Sequence, residues 1–208
     1  MAKQPRLIRD NVVDAALKLA ADQAWRRISL GDIARAADIS LAALQEIFYS
    51  KTAIVVAVMA KTNAAVLSGI DSSSDTEPAH DRLLDALMRR LDALQPHKSA
   101  IFSILRDMPS DPAGLFSLAP DYFNAMAWTL EAAGIGSAGP GGRLRAKGLG
   151  VIYLGALCVW SRDDSVDQGR VLAYLDRRLR QAERLVKWLP DGNLFASRRQ
   201  PATENDPK

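Results

Sequence analysis

Apolar residues recur at helical spacing along almost the whole chain, and this pattern excludes most architectures. No stretch alternates apolar and polar residues for long, and no Asn-Gly or Asp-Gly turn sits between two alternating segments, so sheets and hairpins are not signalled. Val12, Val13, Ala16, Leu17 and Ala20 mark one face of a helix over 6–23. Ser29 is a good N-cap with Asp32 in the capping-box place, opening a second helix that turns Leu30, Ile33, Ala34 and Ala37 inward. A third helix is expected over 40–48, and a fourth from Ser50 through Val55, Val58 and Met59 to about Ile70. Further helices fit 81–94, 99–107, 120–133, 143–162 and 165–189, and the glycine-rich run 134–142 reads as a loop. The fold class is all-α.

The polar stretch DSSSDTEP, 71–78, lacks large apolar groups and marks a hinge. The chain divides into a head at 1–51, a connecting helix and hinge at 52–75, a helical body at 76–190 and a tail at 191–208. With 48% hydrophobic and 25% charged residues the composition is that of a globular protein. The longest apolar run, Leu149 to Trp160, is 12 residues, short of the roughly 20 that span a bilayer. A cytoplasmic protein with no integral membrane association is expected. Cys158 is the single cysteine, which excludes an internal disulfide, and its apolar neighbours predict an inert buried thiol. Only His80 and His97 are present, and no His, Cys or carboxylate grouping has metal-ligand spacing, so neither catalysis, a metal nor a cofactor is expected.

Two short helices joined by Ala37-Asp38-Ile39 have the spacing of a helix-turn-helix, with Asp38 where the backbone must turn left-handed. Three segments add to this: RDNVVDAAL from Arg9 to Leu17, ISLGDIARAADIS from Ile28 to Ser40, and IFYSK from Ile47 to Lys51. Together they resemble the N-terminal domain of TetR-type transcriptional regulators. The resemblance implies a homodimeric, all-helical repressor: a three-helix DNA-binding head, a double-stranded operator as partner, and a helical body that holds a small effector and forms the dimer interface. It places Ser29, Ser40, Leu41, Ala42, Ala43, Gln45, Tyr49 and Lys51 at the DNA surface, with Lys51 on a phosphate. Lys3, Arg6 and Arg9 form a basic arm beside it.

The recognition helix departs from the family pattern. Where the family usually has a basic or polar residue, a small residue and a threonine after the serine, this chain has Leu41-Ala42-Ala43. Only Ser40 and Gln45 offer clear hydrogen-bonding groups, and Glu46 brings a negative charge towards the phosphates. The segments 163–167 and 173–179, with partial support from 81–96, are similar to the end of a TetR-fold, lipid-binding family that assists ubiquinone biosynthesis. That second resemblance implies a lipid-binding accessory protein without DNA recognition.

In the body, aromatics and methionines concentrate between 102 and 128. Phe102, Leu105, Met108, Phe116, Tyr122, Phe123 and Met126 are the expected lining of a cavity for an apolar or lipid-like effector. The run from Leu149 to Trp160 is apolar nearly all round, and the helix after it carries a continuous apolar stripe. These two helices are expected to form the homodimer interface through Tyr153, Leu157, Trp160, Leu172, Leu175, Leu179, Ala182 and Val186.

Overall fold

A computed structural model describes residues 3–69, 77–165 and 167–186, and these contain nine α-helices and no β-strand. Most of the expected hinge, the end of the last helix and the tail lie outside them. Helix α1 (Lys3–Asp22) buries the predicted face Val12, Val13, Ala16, Leu17 and Ala20. A single 3-10 turn, Trp25–Arg27, leads to α2 (Leu30–Ala36). The capping box forms as expected: the Asp32 amide donates to Ser29 Oγ at 3.1 Å and the Ser29 amide to Asp32 Oδ2 at 3.0 Å. Asp38 turns the chain with φ of +55°, and Ser40 caps α3 (Leu41–Ile47) by accepting from the Ala43 amide. Leu44 and Phe48 anchor α3 in the core, and Asn11 of α1 donates to the Ala37 carbonyl at 2.8 Å, tying the turn to α1.

Helix α4 (Lys51–Ser68), capped by Ser50, is apolar enough by length and composition to cross a membrane. It packs instead against α1, α5 and α7, with Ala53, Ile54, Val55, Ala57, Val58 and Val66 buried. Helix α5 (Ala79–Leu94) buries Leu83, Leu87, Leu91 and Leu94, each contributing on the order of 1.5–3 kcal/mol. His80, in its first turn, bonds through Nε2 to Asp176 Oδ1 at 3.0 Å, joining α5 to the last helix. Helix α6 (Lys98–Asp107) packs against α1 and the 3-10 turn.

Two boundaries differ from the sequence expectation. Helix α7 runs Pro112–Ala132 and holds Pro120 inside it, because Asp111 supplies an N-cap and Pro112 fills the first turn, where its missing N–H is harmless. Gly134, with φ of +72°, ends it, and the Ile135 amide reaches back to the Leu130 carbonyl. Helix α8 (Gly139–Trp160) starts inside the glycine run expected to be a loop. Gly142 belongs in its first turn because a Cβ there would lie 2.1 Å from the Ser137 carbonyl group. Helix α9 (Gly169–Val186) begins where the buried Asp163 accepts from the Arg170 and Val171 amides, at 3.0 and 3.2 Å, and from Ser165. The Asp163 carboxyl is held below its usual range, chiefly by the Ser165 hydroxyl.

Candidate functional site

The surface of α3 opposite Leu44 presents Leu41, Ala42, Gln45 and Glu46 to solvent, with Ala43 half-buried and Tyr49 83% exposed beyond it. Ser29 and Ser40 lie at the N-termini of α2 and α3, their hydroxyls engaged as caps. Helix α3 and the two caps therefore carry Ser29, Ser40, Leu41, Ala42, Ala43 and Gln45, six of the eight expected DNA-facing residues. Arg9 adds a cation there, its guanidinium 4.6 Å from the centre of the Phe48 ring.

Lys51 is different. Its ammonium points inward, donating to the carbonyls of Trp25 and Ile28 at 2.6 and 2.7 Å and lying 4.5 Å from the centre of the Trp25 ring. In this placement the ammonium is held by the carbonyls of the first residue of the 3-10 turn and of its C-cap, rather than pointing outward as a phosphate contact requires. Burial pushes its pKa below the ordinary lysine value, opposed by Asp107 and Asp111.

The same 3-10 turn is fastened to the body. The Trp25 amide donates to Ser103 Oγ at 3.1 Å, that hydroxyl donates to the Gln23 carbonyl at 3.0 Å, and the Arg26 amide donates to Asp107 Oδ2 at 2.9 Å. Ser103 and Asp107 are one turn apart on α6, both buried. The Arg26 amide holds the Asp107 carboxyl below the usual carboxylate range. No sequence pattern pointed to this joint; an aspartate and a serine four residues apart on an otherwise apolar face were the available signal.

Below the joint, α4, α5, α6, α7 and α8 line a cavity of about 400 Å³ that opens to solvent beside the exposed Leu115, Phe116 and Leu154. Leu105, Met108, Phe116, Tyr122 and Phe123 line it as expected, with Val55, Val58, Met59 and Thr62 from α4 and Ile101 and Ile104 from α6. Two expectations are corrected. Phe102 faces outward from α6 beneath the Arg106 guanidinium, and Met126 is fully buried in the core away from the cavity. Both sit on the right helices; a 100° step per residue puts them on the wrong face. Arg90 and Tyr153 were not foreseen as lining residues. Tyr122 donates to the Gly150 carbonyl at 2.7 Å, and burial pushes its phenol, like that of Tyr153, well above the ordinary tyrosine value.

The interface residues need the largest correction. Tyr153, Leu157, Trp160, Leu175 and Leu179 are buried inside the protomer, where α8 and α9 pack on each other and on α5, so they have no surface to offer a partner. Trp160 is fixed there by Nε1 donating to Gln95 Oε1 at 2.8 Å. Leu172 is exposed and Ala182 half-buried; the side chain of Val186 lies outside the described residues. The outward faces carry Val151, 70% exposed, Leu154, Leu172 and also Cys158, whose expected burial is thereby corrected. Among the described residues no three His, Cys, Asp or Glu side chains gather as a metal site.

A helix-turn-helix head joined to a helical body with an apolar cavity defines a class of two-part, all-helical folds. Residues 12–58 match the family model of bacterial regulatory proteins of the tetR family. A TetR transcriptional regulator from Nitrosomonas europaea is similar with TM-score 0.68 and 25% identity, over 84% of this chain and 96% of that one. Two more distant structures share the fold: a TetR transcriptional regulator from Rhodococcus sp. RHA1 (TM-score 0.65, 18% identity, 87% and 97% covered) and a tetR-family regulator from Streptomyces coelicolor (0.56, 15%, 85% and 83%). No curated protein matches the sequence. Residues 12–58 thus match the tetR-family N-terminal domain, and the chain as a whole shares the all-helical fold of these structures. These comparisons lend nothing to the resemblance with the ubiquinone-biosynthesis family; Asp163, part of the segment that carried it, caps α9 and is itself held by the Ser165 hydroxyl.

Proposed function

We propose that the protein is a cytoplasmic, dimeric, non-enzymatic repressor that binds an operator through α3 and releases it when a small apolar effector fills the body cavity. One observation carries this reading. Helices α4 and α6, which hold the head through Lys51, Ser103 and Asp107, are also walls of the cavity. A ligand that moves either helix moves the head, and two heads must present α3 about 34 Å apart to read successive major grooves. In this reading Gln45 reaches a base edge, Leu41 and Ala42 meet thymine methyl groups, and Ser29, Ser40, Ala43, Tyr49 and Arg9 flank the phosphates. The outward apolar faces of α8 and α9, through Val151, Leu154 and Leu172, pair with their copies in the dimer.

The test is a gel-shift titration against DNA from the protein's own promoter region. A salt-sensitive, sequence-preferring complex at sub-micromolar protein is expected; its absence refutes operator binding. A second reading is favoured by the exposed face of α3, which carries Glu46 and no Lys or Arg. In it the protein keeps the fold and binds a lipid or isoprenoid as an accessory of ubiquinone biosynthesis, and no DNA complex forms.

A further inference from the structure

The cavity contains one charge, and its placement says what the ligand carries. Arg90 lies on α5 with 3% of its surface exposed, and a guanidinium stays protonated at any working pH. Its contacts are all neutral: Nη1 donates to the Asn63 amide oxygen on α4 and, at 3.3 Å, to Thr129 Oγ1 on α7, and the group stands 5.4 Å from the centre of the Tyr153 ring. Among the described residues no carboxylate approaches it within ion-pair distance. Other cations of the body and head, such as Lys61, Arg89 and Arg180, meet aspartates at the surface. Arg90 and Tyr153 both line the cavity, and the Tyr153 hydroxyl leans on the guanidinium rather than on any acid, so the pair brings a positive charge and a phenol together with no carboxylate of the described residues between them. A buried cation that faces no carboxylate, with a tyrosine hydroxyl beside it, in a wall made mostly of apolar side chains such as Val58, Met59, Leu94, Ile104, Leu105 and Phe123, is complementary to an anion attached to an apolar body.

We infer that the effector is an amphipathic carboxylic acid, bound as its monoanion. The carboxylate accepts from Arg90 and from the Tyr153 hydroxyl, and the hydrocarbon part fills the space between α4, α6 and α7. This rests on the cavity being the effector site, and it replaces a purely apolar ligand by one with a charged head. Charge-assisted bonds made out of water distinguish such a ligand strongly from its neutral isostere.

The experiment titrates decanoate, decan-1-ol and decylamine, all below micellar concentration, into the purified full chain at neutral pH by calorimetry. Decanoate is expected to bind at least about tenfold more tightly than decanol, with decylamine weakest. In Arg90→Met, which keeps the apolar volume, decanol binding is retained and the preference falls below about threefold; Tyr153→Phe loses part of it. Equal binding of decanoate and decanol to the unaltered protein overturns the carboxylate subsite while leaving an apolar effector site standing, and it does so without any variant having to fold. Preference for decanoate that survives in Arg90→Met also overturns it. If none of the three binds, the cavity is not the effector site and both readings fall.

Discussion

Replacing Asp107 by alanine tests whether the head is held by the polar joint on α6. The carboxylate is buried and accepts the Arg26 amide at 2.9 Å, while the half-exposed Arg106 guanidinium approaches at 3.6 Å. A hydrogen bond to a charged acceptor contributes about 1.5–3 kcal/mol, and an exposed ion pair about 0–1 kcal/mol, so Asp107→Ala is expected to lose about 2 kcal/mol. For a chain of this size that lowers Tm by about 4–8 °C. Asp107→Asn keeps an oxygen for the Arg26 amide and loses roughly half as much. Hydrogen exchange localises the effect: opening that costs about 2 kcal/mol less speeds exchange of the Arg26 amide about 30-fold in the alanine variant. The sign with pH follows from the lowered carboxyl pKa. The unfolded chain binds the proton first, so this stabilisation is present above about pH 4 and is lost as pH falls through the folded value. The gap between the protein and Asp107→Asn therefore narrows on acidification. The reasoning is refuted if Asp107→Ala melts with the unaltered protein, or if alanine and asparagine cost the same.

Lys51→Met leaves two carbonyls without their charged donor and removes the contact with Trp25, an expected loss of about 2–3 kcal/mol by urea unfolding. If DNA binding is retained, its dependence on salt keeps the same slope, whereas loss of a phosphate contact reduces that slope by about one. Asp163→Ala frees the Arg170 and Val171 amides and Ser165, and is expected to lower Tm by more than Ser29→Ala, whose cap is exposed. Gly150→Ala places a Cβ 2.9 Å from the rings of Phe123 and Tyr122, costing about 1–3 kcal/mol and pressing those rings into the cavity. Gly148→Ala, with nothing within 4 Å, is the control on the same helix and gains up to about 1 kcal/mol from helix propensity.

The head was legible in the sequence because its signals are local: a capping box, a left-handed Asp38 and two serine caps each depend on residues within three positions. The cavity was legible by helix but not by face, which is why Leu105 and Met108 line it while Phe102 and Met126 do not. Lys51 and Arg90 were illegible for another reason. A cation in a sequence is read as solvated, and whether a carbonyl or an empty wall lies within reach depends on helices 23 to 39 positions away. Helix α8 shows the limit most directly. An apolar stripe announces burial without saying what buries it, and α8 has two: Tyr153, Leu157 and Trp160 buried on one side, Val151 and Cys158 exposed on the other, with Leu154 between them, exposed yet part of the cavity lining. The expectation that one side faces the body and the other a partner does not depend on which is which. Placing the larger residues inside follows from packing: a protomer buries its widest aromatic surfaces first, where Arg90 and Gln95 satisfy the Tyr153 ring and the Trp160 indole. What is left outside is the stripe of smaller side chains, the face on which the proposed dimer rests.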